Sequence, residues 1–273
     1  MDKRHNLLVR VADAEYRAAA TCGDFVTAEL LRDFRRCPEL YRQRLSGEEV
    51  PEEETAAARL ERATRALVFG GRDDFDAEFV VSNGPVNPRT GKAFGKISKA
   101  YKSWSSGVDR DVISTEEFDV VLKAQQAVFT HRTAPRLLFS GVINGVARAR
   151  VADVPCQARA DFISDVDGLV SLKFCDALEK FEDDARRRGY VHDLSFCRSV
   201  LRECRGETFP VYIIVLERKA PHRCGVWRVA DEALDQAEVE NTTALHRLLE
   251  CRKTGRWPHG YEEIQTLTIV EEV

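Results

Sequence analysis

The sequence predicts an α/β protein, a mixed central sheet flanked by helices, and three observations carry that expectation. Val151 to Ile163 and Gly168 to Phe174 read as two strands joined by Ser164-Asp165-Val166-Asp167-Gly168, whose Asp and Gly residues supply the positive-φ conformers of a tight turn. Phe209 to Leu216 is a β-branched, apolar run typical of a buried strand. Amphipathic helical stretches stand on both sides of these strands in the chain. At 273 residues the chain can bury a sizeable core. The expected organisation is an N-terminal helical extension over 1–54, then one domain over 55–273 with a basic insertion at 82–108.

The elements follow in order. Asp24 to Leu45 reads as helix, with Cys37-Pro38 marking a kink or a new start. An acidic run from Glu48 to Glu54 around Pro51 reads as a solvated loop. Thr55 to Phe69 places Leu60, Ala63 and Leu67 on one helical face, and Phe75 to Val81 looks extended. Ser114 to Arg132 is again helical, opened by the cap Ser114-Thr115-Glu116-Glu117, its apolar stripe interrupted at Gln125. Ala177 to Glu203 is helical with a break near Gly189, Gly225 to Val229 is a short strand, and Asp231 to Cys251 is a closing helix.

Composition narrows the function. A formal net charge of -4 argues against a blanket polyanion binder. Its distribution says more, because Val80 to Val108 holds no acid while Arg89, Lys92, Lys96, Lys99 and Lys102 alternate with Phe94, Tyr101 and Trp104. Such a stretch neutralises phosphates and offers rings for stacking; it reads equally as a solvated loop entering a helix whose aromatics pack inward. The eight cysteines form no Cys-x-x-Cys pair, which suits reduced thiols in a cytoplasmic protein rather than a zinc or iron-sulfur site. No apolar run reaches the roughly 18 residues of a membrane span, and no phosphate-binding glycine loop or Ser-His-Asp arrangement occurs.

The central hairpin carries the chemistry. Ser171 and Lys173 are two apart on a strand and share a face, and cross-strand pairing brings Asp161 beside them. A carboxylate, a second acid and a lysine on one face would hold a hard divalent cation and orient the water that attacks a phosphodiester. Here the second acid is a serine.

These residues, in this order, resemble the PD-(D/E)XK superfamily, with its restriction-endonuclease-like core, and within it the exonuclease VIII (RecE-like) family. Leu31, Phe34, Cys37, Pro38 and Tyr41 resemble that family's L-x-x-F-x-x-C-P-x-x-Y element. Gly84 to Lys96, Val154 to Asp161, Phe181 to Tyr190 and Cys224 to Arg228 also look like family segments. The resemblance implies a magnesium-dependent exonuclease fold, DNA as partner and ring-like homo-oligomers. It also implies a histidine where Arg65 stands, an acid on the first sheet strand near Asn144, and an acid where Ser171 stands, so that Asp161 and Lys173 are the remnant of the catalytic set and Asp161 the sole remaining metal ligand. A guanidinium has no lone pair for a metal.

Two readings of Arg65 stay open: an i, i+4 ion pair with Glu61, worth about 0.3–0.5 kcal/mol, or a fixed cation that with Lys173 holds a phosphate. Asp165, Asp167, Asp176 or Asp193 would have to migrate into the site to rescue metal binding. Arg187, beside Arg186 and Arg188, and Tyr190 join Lys92, Lys96, Lys99 and Lys102 as candidate DNA contacts. The leading expectation is a catalytically degenerate homologue that binds duplex ends, or acts through a recombination or nuclease partner protein. A live magnesium-dependent exonuclease and a protein-interaction scaffold are the alternatives.

Overall fold

The computed structural model describes residues 7–8, 11–46, 54–264 and 266. A short strand β1 (Leu7–Leu8) pairs antiparallel with β4 (Gly141–Val151). Three helices follow it, α1 (Asp13–Thr21), α2 (Ala28–Arg36) and α3 (Pro38–Ser46). The Thr27 hydroxyl caps α2 by accepting from the Leu30 amide at 3.2 Å. Cys37 is extended, because the proline ring behind it disfavours helical backbone, and so α2 and α3 are separate. Of the acidic run 48–54 only Glu54 lies within the described residues, and it pairs with Arg62.

Helix α4 (Ala56–Arg65) continues into a π-helical turn, Ala66–Gly70, then α5 (Gly71–Glu78) and β2 (Phe79–Val81). The extended stretch expected from Phe75 is therefore mostly helix. Phe75 and Phe79 lie one turn apart, stack at 5.4 Å and are both fully buried, Phe75 also against Phe118, which a strand starting at Phe75 would not allow. After the basic insertion and its helix α6 (Lys99–Ser105), β3 (Asp111–Ile113) pairs parallel with β2 as a separate two-stranded sheet. Helix α7 (Thr115–Thr130) opens with the expected capping box between Ser114 and Glu117. The polar break in its stripe has a use: Gln125 donates to the Leu67 carbonyl at 3.0 Å, within the π-helical turn.

After the short α8 (Ala134–Leu137) come β4, β5 (Val154–Ser164) and β6 (Gly168–Cys175). A crossover through α9 (Phe181–Arg188) and α10 (Tyr190–Arg205) leads to β7 (Val211–Glu217), then β8 (Cys224–Arg228) and α11 (Asp231–Thr254) close the chain. The six-stranded sheet runs β1-β4-β5-β6-β7-β8, and only β6 and β7 are parallel, as the long helical connection between them requires. The mixed sheet flanked by helices is the architecture expected from the sequence.

One core joins α2, α10 and α11 to one side of the sheet through Phe34, Leu201, Ile213 and Leu245. A second covers the other side, with Val128 and Leu137 against Val170, Leu172 and Ile214. The segment expected as an N-terminal extension shares the first core: Val26, Leu31, Phe34 and Tyr41 are all buried there. Among the described residues no helix is long and apolar enough to cross a membrane, and the eight cysteines are unpaired.

Candidate functional site

The β5–β6 hairpin positions the site. Its turn is held by the Ser164 hydroxyl, which accepts from the Asp167 amide at 3.1 Å, and by Gly168 at φ 109, where a Cβ would meet the Pro210 carbonyl at 2.5 Å. The pairs Phe162↔Val170 and Ile163↔Leu169 fix a register that sets Ser171 across from Asp161. On the other side, Ile143↔Phe162 and Gly145↔Ala160 set Asn144 across from Asp161. Asn144, Asp161 and Ser171 thus form a row over three strands. The strands twist there: Asn144 has φ 51, and the alternation that puts Ala158 and Ala160 into the main core slips by one before Ile163.

Asp161 Oδ2 accepts from the Ser171 hydroxyl at 2.7 Å and from the Leu172 amide at 3.0 Å. Burial pushes this carboxyl up, but Lys173, Arg65 and the two hydrogen bonds outweigh it and hold it below the usual aspartate range. Lys173 lies below the ordinary lysine range, because burial and Arg65 together outweigh the pull of Asp161. Its Nζ sits 5.0 Å over the Tyr190 ring.

Arg65 Nη2 donates to the Leu172 carbonyl at 3.0 Å, and its guanidinium lies 5.3 Å over the Phe174 ring. The Leu172 peptide is therefore bracketed by Asp161 and Arg65. The helix-surface pair Glu61–Arg65 does not form. Glu61 pairs instead with Arg218 at 2.8 Å, just beyond the end of β7, and that long-range partner wins over the neighbour one turn along.

Two clefts flank this centre. One, of about 320 Å³, is lined by Asp161, Ser171, Lys173, Asp193, Arg32 and Tyr16 among others. The other, of about 760 Å³, is lined by Arg65, Phe69, Asn144 and Asp13. Arg159 borders both.

Residues 28–268 match the family described as a PDDEXK-like domain of unknown function (DUF3799). The chain belongs to that family. Among solved structures this PDDEXK-like chain is similar to a protein from Eubacterium rectale described as a putative exonuclease, at 12% identity and a TM-score of 0.64, over 96% of this chain and 97% of that one. No curated protein matches it.

PDDEXK nucleases use divalent metals as a rule, and the residues here do not fit one. Asp161 spends Oδ2 on two donors and stands between two cations. Among the described residues no group of three His, Cys, Asp or Glu side chains is placed to hold a metal ion. Of the four acids that would have to migrate, Asp165 accepts from Ser140, Asp167 pairs with Arg136 and Asp176 with Arg218. Only Asp193 enters the cleft with Asp161. Its Oδ2 accepts from Arg32 at 2.8 Å while Oδ1 is buried without a partner. Burial pushes Asp193 above the usual range, against the opposing pull of Arg32, Lys173, Arg35 and His192.

The structure brings Asp161, Ser171, Lys173, Arg65 and Tyr190 together. It does not bring the basic insertion to them: Lys96 pairs with Glu117 on α7 at 2.8 Å, Lys92, Lys99 and Lys102 are exposed, and Tyr101 is buried against Trp104. Arg187 is an exposed residue paired with Asp184 at 2.5 Å. Arg32 and Arg159 were not read from the sequence as site residues. Arg159 stands two positions before Asp161 on the same strand, a spacing that strand periodicity makes visible.

Proposed function

We propose that the protein is a catalytically degenerate exonuclease VIII-like protein that binds DNA, at duplex ends, without cutting it, in phage-type recombination or the regulation of a nuclease. The observation that carries this reading is the charge of the centre: Asp161, already hydrogen-bonded by Ser171 and Leu172, stands between the cations Lys173 and Arg65, while Asp193 in the same cleft is paired with Arg32. That arrangement has no room in its charge balance for a dication and a surplus for a phosphate. Arg65 and Lys173 would position the strand near where a nuclease would cleave it, and the exposed Lys92, Lys99 and Lys102 would add sequence-independent attraction along the duplex.

The test is end-labelled linear duplex incubated with the protein and magnesium or manganese, beside Lys173→Ala, reading cleavage and gel retardation from the same samples. Retardation without cleavage, weakened roughly tenfold in Lys173→Ala, a loss of about 1.4 kcal/mol, is the expected result. Metal-dependent cleavage that Lys173→Ala abolishes would sink the reading and leave the second one, an active exonuclease with rearranged ligands. Asp193 favours that second reading, since its unpartnered Oδ1 borders the same cleft as Asp161. Neither retardation nor cleavage would leave a protein-interaction scaffold.

A further inference from the structure

We propose that Arg148 and Arg159 form a phosphate-binding site masked by α1, whose Asp13 and Glu15 occupy the places that nucleic-acid phosphates would take; this rests on the DNA-binding reading above. Arg148 on β4 pairs in register with Gln157, and Arg159 lies two residues further along β5, so the two guanidiniums are diagonal neighbours on one face of the ribbon. Both are claimed by α1 and the residues leading into it. The Asp13 carboxylate and the Val11 carbonyl, the latter at 3.1 Å, accept from Arg159, whose guanidinium lies 4.3 Å over the Tyr16 ring. Glu15 sits 3.7 Å from Arg148.

The hold is polar and shallow. Within α1 only Ala20 is buried, and no side chain caps the helix start at Ala12. The Asp13 and Glu15 carboxylates are 62% and 63% exposed, so salt and competing anions reach both ion pairs. Besides these pairs, the Gln157 amide donates to the Tyr16 carbonyl at 2.8 Å. The apolar groups that lifting would uncover on α1 are the half-buried Tyr16 ring and Ala20.

Its position gives the lifting a consequence. Val11 and Asp13 line the larger cleft and Tyr16 the smaller, so the start of α1 is part of the partition between the two spaces that Arg159 borders. With α1 displaced, Arg65, Arg159 and Lys173 would line one trough past Asp161. The surplus of positive charge there would grow as Asp13 and Glu15 leave. A nucleic-acid strand would supply the competing anions, and its phosphates match the forked donors of arginine.

The test uses the full chain, wild type and Asp13→Ala/Glu15→Ala, with Glu232→Ala/Glu250→Ala as a control for charge alone, since both control acids are exposed on α11. Three quantities are read: hydrogen exchange of the α1 amides without ligand, calorimetric affinity for inorganic tripolyphosphate, and anisotropy of a labelled linear duplex. In Asp13→Ala/Glu15→Ala the α1 amides are expected to exchange at least tenfold faster and tripolyphosphate to bind about fivefold tighter, with neither effect in the control. Adding Arg159→Ala should cancel the gain in affinity. Unchanged α1 exchange, or a tripolyphosphate affinity that rises equally in the control, would overturn the masked site. If tripolyphosphate binds tighter while no variant binds duplex, the masked site stands and the DNA-binding reading falls.

Discussion

Two charge clusters in this molecule are mirror images. Between α10 and α11, the buried Arg198 is surrounded by acids: Asp235 at 2.5 Å, Glu238 at 3.6 Å and Asp231 at 3.9 Å, with Arg202 also on Glu238. In the centre of the sheet, one acid, Asp161, is surrounded by cations. The first cluster answers the charge of Arg198 with the chain's own acids, which reach solvent, although Arg198 Nε is buried without a partner. It pins two helices. The second holds its carboxylate by two donors with Lys173 and Arg65 beside it and clefts alongside, the arrangement on which the proposal of phosphate binding rests.

The largest expected effect tests the closed cluster. Arg198→Ala should cost about 3 kcal/mol, because it removes a buried charge from its partners and empties the space its stem fills. Chemical denaturation measures this, and a loss below about 1 kcal/mol would show that the outer acids, not the arginine, hold the helices together. Next comes the open cluster. Asp161→Asn removes the carboxylate that Arg65 and Lys173 share and leaves Lys173 only Asp193, itself paired with Arg32, at a cost of about 1–2 kcal/mol after allowing for the partial solvation of the site. The same change should tighten duplex binding, since the remainder becomes more positive. Weaker binding would mean that Asp161 positions the cations rather than competing for them.

Asp161 and Asp193, both in the smaller cleft, should respond oppositely to pH. Asp161 is depressed, so its stabilising contribution is present above the unfolded aspartate value and lost as pH falls through its folded value. Asp193 is raised, so the folded state binds its proton more tightly, and stability falls as pH rises through the window between the unfolded and folded values. Relative to wild type, Asp193→Asn should therefore fare better at pH 7 than at pH 4, and Asp161→Asn should fare worse at pH 4 than at lower pH, as urea unfolding across that range would report. Parallel slopes would dissolve the distinction. The smallest effect is Glu61→Gln, which should cost about 0.5–1 kcal/mol by loosening Arg218. Duplex affinity should stay as it is; a change would mean that Glu61 acts on Arg65 after all.

Local rules made much of this legible. The hairpin, the shared face of Ser171 and Lys173, the capping box at Ser114 and the breaks at Pro38 and Gly189 all follow from spacing and backbone preference over a few residues. What stayed hidden depended on partners far along the chain. A Glu61–Arg65 pair is one of the two readings the sequence leaves open because the two are a helical turn apart, whereas the partner of Glu61 arrives 157 residues later. Phe75 to Val81 looked extended because its apolar residues cluster, and the deciding contact was the burial of two rings with Phe118. The parallel pairing of Asp111–Ile113 with Phe79–Val81 spans the whole basic insertion and leaves no local mark. In the site, the sequence shows a serine where the resemblance implies an acid, but not that its hydroxyl would turn and bond Asp161.

The π-helical turn after Arg65 acts as a spacer in the phase of the helix. Each residue of an α-helix advances the side-chain direction by about 100°, so the wider turn at Ala66–Gly70 sets the azimuth of everything before it relative to everything after. Removing one residue there would let the turn relax to ordinary α geometry and swing Arg65 away from the Leu172 carbonyl, while the Gln125 amide would lose its acceptor at Leu67. The aim of the guanidinium therefore depends on this turn, which ends at the non-helical backbone of Gly71, and a one-codon deletion within it is expected to redirect Arg65 with no change to Arg65 itself.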